Sequence, residues 1–256
     1  MDTQLLDQLR WGALSLLLLV ISIGLHEFGH AWVADLRGDL LPRAQGRVTL
    51  NPLAHADLLG TWVLPGIMIF LPILMGRPLP FGLLGWGKPV QISLANPRTR
   101  RMDDILITLA GPAMNVVLLL VFALIGQVAG LVPGAAAGHD FTRFLLTGIF
   151  MNAGLAAFNL IPLPPLDGSR VFYRLGVYST EVFHFLSQWS FFILIVFINT
   201  DFFYEVVRWL MTPFLSLAQL IWSVMSRMPT GRPSPSTTKA SSRQPRFPST
   251  SRRAAP

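Results

Sequence analysis

A chain of 256 residues with 52% hydrophobic and only 13% charged side chains, and a mean hydropathy of +0.53, has too little polar surface to cover a soluble globule of its size. Its formal charge of +7 is carried by residues 226–256, which hold seven Lys/Arg and no acid, while residues 1–225 balance thirteen of each sign. No cysteine is present, which excludes disulfides, a thiol nucleophile and Cys-ligated zinc, so a bound metal has to use His, Asp or Glu.

The first predicted element is an apolar helix over about 11–35. MDTQLLDQLR ahead of it carries two aspartates, and the apolar run continues into LHEFGHAW without an A-x-A-like cleavage site, so it reads as a retained membrane helix rather than a signal peptide. A spanning helix needs about 20 apolar residues. Further candidates lie at roughly 58–76, 104–132, 144–166, 181–200 and 203–225. The stretch 58–76 is short and broken by Pro65-Gly66 and Pro72, which suits a re-entrant hairpin buried in protein. Loops 37–57 and 77–103 are rich in Gly, Pro and Asn, and RVTL and PVQIS within them read as short strands at the membrane surface. The expected fold is an all-α polytopic membrane protein with about five transmembrane helices, a re-entrant element and short β-strands in the membrane-surface loops. Residues 1–225 form one membrane domain with its core at 11–175, and 226–256, rich in Pro, Ser, Thr and Arg, form a disordered basic tail attracted to anionic lipid. No nucleic-acid partner is expected of that tail.

The chemistry concentrates in HEFGH, residues 26–30. His26 and His30 are four apart, so a helix puts both imidazoles on one face, about 5–6 Å apart at Cβ and close enough to share one Zn²⁺. Glu27 lies beside them, as in the H-E-x-x-H arrangement where a glutamate takes the proton of an activated water. A buried hydrogen-bonded cluster is the alternative, but ionisable groups inside a membrane are costly and point to function. Gly29 lets another backbone come close. A third ligand comes from His55, His139, His184 or a carboxylate. Asp167 leads, at the foot of an apolar helix where Pro162, Pro164 and Pro165 forbid regular helix and open the backbone.

HEFGH at 26–30, AGPAMN at 110–115 and NLIPLPPLDG at 159–168, in that order on successive apolar segments, resemble the site-2 protease family of intramembrane zinc metalloproteases. GRVTLNPLAHAD and FGLLGWGKPVQI resemble its small bacterial branch. The resemblance implies one zinc held by His26, His30 and Asp167, with Glu27 as catalytic base. It also implies a bacterial cell-membrane location and a transmembrane protein substrate within the lipid bilayer. Asn115 and Asn159 match positions that help hold substrate or the developing oxyanion. His55 is a possible accessory group, though a loop histidine bonded to backbone explains it as well. The chain departs from the larger family members in showing no PDZ-like or CBS-like domain, and in the extra apolar segment 58–76.

The histidines and Asp167 both lie near C-terminal ends of predicted helices, so sharing one metal requires those helices to be parallel and an odd number of crossings to separate them. Segment 58–76 is then no full crossing. With the N-terminus outside, Arg37, Arg43, Arg47, Arg77, Lys88, Arg98, Arg100, Arg101, Arg170, Arg174 and the tail all become cytoplasmic, which satisfies the positive-inside rule. Two other functions compete with proteolysis. A membrane metal-ion carrier would use the same His and Asp without needing Glu27, and an inactive protease-like scaffold would need none of them.

Overall fold

The computed structural model describes residues 3–77, 84–94, 96, 98–129 and 139–226; the basic tail lies outside them. Helix α1 spans Thr3–Leu36, about 51 Å at 1.5 Å per residue. That exceeds the roughly 30 Å of a bilayer's hydrocarbon core. A four-residue helix α2 (Leu41–Ala44), a 3₁₀ turn (Pro52–His55) and a π-helical turn (Leu58–Val63) lead into α3, Leu64–Met75. Then follow α4 (Arg100–Val128), α5 (His139–Asn159), α6 (Asp167–Leu175), α7 (Thr180–Gln188), α8 (Ser190–Ile198) and α9 (Asp201–Ser226).

By length and apolarity four helical segments suffice to cross a membrane: Thr3–Leu36, Leu58–Met75, Arg100–Val128 and Asp140–Asn159. The bent pair α7 and α8, at 70° to one another, would make a fifth if it counts as one span. The expected single segment at 181–200 is thus broken at Trp189, between a half carrying Glu181, His184 and Gln188 and the wholly apolar half SFFILIVFI.

Contacts fix the helix directions. Arg10 pairs with Asp140 at 2.8 Å, and the Arg143 guanidinium lies 4.1 Å over the Trp11 ring, so α1 and α5 start together and run parallel. Helix α4 runs against both: Arg37 near the end of α1 meets Asp103 at its start at 2.6 Å, and Ser22 meets Asn115 twelve residues on. Small residues let α4, α5 and α9 close on one another around Leu119, Ala123, Ile149, Ala153 and Ala218.

Two expectations need correction. The chain does not turn back within 58–76. Pro65 follows directly on the π-helical turn without breaking the helical course, and Pro72 is accommodated inside the helix. Helix α3 instead climbs along α1 until Phe70 and Ile73 reach Gly12, and it stops at Gly76 in a left-handed conformation. The return runs through 84–94: the Leu84 N–H reaches Met68 Sδ at 3.3 Å, and the Trp86 N–H bonds the Gly60 carbonyl at 3.0 Å. The second correction concerns RVTL and PVQIS, which form no strands. Among the described residues the only β-type pairing is one antiparallel bridge, Ala56 with Gly87. Side chains take the backbone groups a partner strand would use. Arg47 donates to the carbonyls of Ala54, Lys88 and Pro89, while the Asp39 carboxylate accepts from the Ser93 and Leu94 N–H groups.

Candidate metal centre

In its upper part α1 is apolar on every face, and near its end it puts His26 and His30 toward α4. The approach is close because Gly29 has no side chain: a Cβ there would sit 2.6 Å from the Ala110 carbonyl oxygen. That close approach was the sequence expectation for Gly29. On α4, Pro112 leaves the Thr108 carbonyl without its helical donor, loosening the ladder at this level.

Each imidazole is oriented through Nδ1. His30 Nδ1 lies 2.7 Å from the Ile107 carbonyl oxygen, which can only accept, so Nδ1 carries a proton and the neutral ring presents the Nε2 lone pair. His26 Nδ1 lies 2.7 Å from Asn115 Oδ1. The Asn115 amide is itself oriented, because its Nδ2 donates to the Ser22 carbonyl at 3.2 Å and to Asn152 Oδ1 at 3.0 Å. Asn152 Nδ2 in turn donates to Ser22 Oγ and the Gly148 carbonyl. His26 therefore also carries its proton on Nδ1 and offers Nε2.

Asp167 opens α6 after the proline run, with Leu166 extended ahead of it. Its Oδ2 lies 3.2 Å from His26 Nε2 and 3.4 Å from His30 Nε2, and the two Nε2 atoms are 3.1 Å apart. With neutral rings whose protons are held on Nδ1, as metal ligands require, none of these contacts has a hydrogen to share. Among the described residues Asp167 Oδ2 is buried without a hydrogen-bond partner. Three lone pairs facing one another repel unless a cation stands between them. Ligand bonds of about 2.0–2.1 Å in a tetrahedron set ligand atoms about 3.3 Å apart, the spacing found here. Room for the ion comes from Gly111, where a Cβ would fall 2.3 Å from His30 Nε2 and 2.6 Å from His26 Nε2. Two imidazoles and one carboxylate, with a fourth position open, fit zinc in a catalytic setting.

Glu27 stands on the neighbouring face of α1. Gly87 packs against its side chain, and its Oε2 accepts the Val90 N–H at 3.2 Å. Among the described residues it has no ion pair.

The remaining candidates lie apart from the three donors. Asn115, fully buried, spends its amide on His26, Ser22 and Asn152. Asn159, the last residue of α5, donates to the Leu155 carbonyl at 2.9 Å. His55 is fully buried, with Nε2 bonded to the Thr49 carbonyl at 3.0 Å and Nδ1 without a partner among the described residues. Burial pushes its imidazole below the ordinary histidine range, and the nearby Arg47 pushes the same way. His184 sits on α7 away from the donors, and the His139 side chain lies outside the described residues. Sequence reasoning missed Ser22, Ile107, Gly111 and Asn152. An amide alone in an apolar run, as at Asn152, was the one available signal.

Comparison with known proteins adds an independent line. Residues 125–199, which include Asp167, match peptidase family M50. The chain is 35% identical over 156 residues to "Putative zinc metalloprotease YwhC" of Bacillus subtilis, covering 60% of this chain and 64% of that protein. It is 30% identical over 196 residues to "Putative zinc metalloprotease Rip2" of Mycolicibacterium smegmatis, covering 74% of this chain and 70% of that protein. The protein of the same description from Mycobacterium tuberculosis is 33% identical over 152 residues, about half of its length (52%). No solved structure matches.

Proposed function

The chain belongs to peptidase family M50, the site-2 proteases, and from that premise we propose that it is an intramembrane zinc metalloendopeptidase cutting transmembrane segments of membrane-protein substrates. One observation carries the reading: three buried donor atoms of His26, His30 and Asp167 converge around a space that Gly111 leaves open. His26, His30 and Asp167 would hold one zinc per chain. When bound, zinc supplies Lewis acidity, which polarises a scissile carbonyl and makes water acidic enough to lose a proton near neutral pH.

The residues of the chain do the rest. Glu27 takes the proton of the attacking water as its oxygen adds to the carbonyl carbon, and delivers a proton to the nitrogen as the C–N bond breaks. The Val90 N–H, bonded to one carboxylate oxygen, holds Glu27 in a fixed rotamer and leaves the other oxygen for this exchange. Asn115 is better read as the group that aims His26 than as an oxyanion donor, because its amide is fully engaged. Asn159 remains the weaker candidate for contact with substrate.

The topology we propose is multi-pass in a cell membrane, with α3 leaving from one side, residues 84–94 returning toward it, and the N-terminus outside. By helical rise His26 lies about 24 Å below Arg10, so the site sits just within the inner edge of an approximately 30 Å core. The ion pairs of Arg43 with Asp35 and Arg37 with Asp103 mark the polar boundary beneath it. A substrate helix must unwind to expose a carbonyl there. Between the groups taken by Arg47, Glu27 and Asp39, the backbone of Gln91 and Ile92 offers a short edge for an unwound segment to pair with.

The test uses purified chain in nanodiscs with a reporter transmembrane substrate. Wild type should cleave it, and Glu27→Gln and chelator-treated protein should not. Zinc bound stoichiometrically with no cleavage by wild type would instead favour the carrier or scaffold.

A further inference from the structure

The His26 and His30 side chains are each tied to α4, through Asn115 and Ile107, but among the described residues Asp167 Oδ2 has no such hydrogen-bonded tether. Its helix is short, nine residues, and the loop ahead of it holds only its first turn, where Gly168 packs on the Leu160 and Ile161 carbonyls and Ser169 bonds the Leu166 carbonyl. Pro162, Pro164 and Pro165 precede it, and Gly176 ends it at φ 81°. Beyond that turn α6 is oriented by its packing on other helices, which is mainly on α4.

The contact is specific. Asp167, Arg170 and Arg174 are spaced three and four apart and share one face of α6. Both arginines converge on one carboxylate, Asp104 in the first turns of α4: Arg170 Nη2 donates to Oδ1 at 2.6 Å, and Arg174 Nε donates to Oδ2. Asp104 is 2% exposed, so its charge is answered by these two guanidinium groups and not by water. One residue earlier, Asp103 engages Arg37 at the end of α1. A single stretch of α4 thus grips α1 on one side and α6 on the other, just below the site.

We propose that Asp104 is a positioning residue for the metal centre: by fixing α6 through Arg170 and Arg174 it sets where the Asp167 carboxylate meets the two imidazoles. The proposal rests on the metal-binding reading given above. A merely structural ion pair would stabilise the bundle without regard to Asp167. A positioning pair acts on the metal through Asp167 alone, and this difference is measurable.

Cobalt(II) and zinc affinity are titrated on the full chain in nanodiscs, with the visible Co²⁺ spectrum as a report on ligand geometry. Unfolding of the metal-free protein is followed in parallel. Asp104→Asn should lower affinity about tenfold, within the usual range for groups that orient a ligand, and should alter the Co²⁺ spectrum. In an Asp167→Asn background, where the His pair alone remains, adding Asp104→Asn should change neither. Should Asp104→Asn fail to fold, the pair Arg170→Lys and Arg174→Lys keeps the charge, loses the planar fork, and should show the same dependence on Asp167. Unchanged affinity on Asp104→Asn, or an equal loss without the Asp167 carboxylate, overturns the positioning role while leaving the metal site standing. Failure of wild type to bind either metal overturns both.

Discussion

Replacing Gly111 by alanine puts one methyl group into the space between the imidazoles. The added carbon falls 2.3 Å from His30 Nε2 and 2.6 Å from His26 Nε2, against ordinary non-bonded contacts of about 3.5 Å. It therefore stands at nearly the distance a zinc ion takes from the same atoms, about 2.0–2.1 Å, and overlaps them by about 1 Å. Neither ring can swing aside freely, since each Nδ1 is bonded at 2.7 Å to α4, the helix that carries the methyl. The expected result is at least a hundredfold loss of zinc affinity, or about 2.7 kcal/mol, together with loss of cleavage. The fold should survive. Overpacking costs about 1–3 kcal/mol, and exchanging glycine for alanine inside a helix returns about 1 kcal/mol. Zinc content of the purified variant and a Co²⁺ titration, beside its thermal unfolding, read both quantities. A folded Gly111→Ala protein that still holds one zinc per chain at wild-type affinity would show that the metal does not sit between these rings.

Two more predictions follow from the surroundings of the site. Asn115→Leu removes the acceptor from His26 Nδ1 and leaves Asn152 Oδ1 without a donor in an apolar setting. It should destabilise the chain by about 2–4 kcal/mol and weaken zinc binding 10–100-fold, read by denaturant melts and metal titration, whereas a variant matching wild type in both would contradict the forced orientation of His26. Asp39 lies 6% exposed at the foot of the return leg. Burial opposes its charge, but hydrogen bonds from the Ser93 hydroxyl and the Ser93, Leu41 and Leu94 N–H groups hold its carboxyl below the usual range. With the folded value below the unfolded one of about 3.9, this anchorage is complete above that pH and is lost as pH falls through the folded value. Hydrogen exchange at Ser93 and Leu94 should accelerate on acidification below about pH 4 in wild type and be fast throughout in Asp39→Asn; an acid step of equal size in that variant would assign it to another group.

The parts of the site legible in the sequence are those set within one element. His26, Glu27 and His30 share a helix, so their spacing alone fixes their relation, and the proline run before Asp167 announces an open backbone. The requirement that two helix ends meet at one metal also gave the parallel course of α1 and α5, whereas the hairpin it assigned to 58–76 is an unbroken helical segment long and apolar enough to cross. What stayed hidden depends on how one helix is rotated against another. Ile107 matters through a carbonyl that every residue has, Gly111 through an absent side chain, and Ser22 and Asn152 through facing Asn115 across two interfaces. PVQIS has the alternation of a strand, but alternation cannot say whether a partner strand arrives. Here Glu27 and Asp39 supply the acceptors instead, and Arg47 the donors.

The hydrogen-bonded set Ser22, Asn115 and Asn152 ties α1, α4 and α5 at one depth, without help from a metal. Each such bond between helices in a membrane is worth only about 0.6 kcal/mol on average, so as glue the set is modest. As a lock on register it is stronger, because sliding any one helix by a turn would strand two amides and a hydroxyl in hydrocarbon. The three helices that frame the chemistry can thus find their correct alignment during insertion, before zinc arrives, and the ion then meets a site whose parts already stand at the right height.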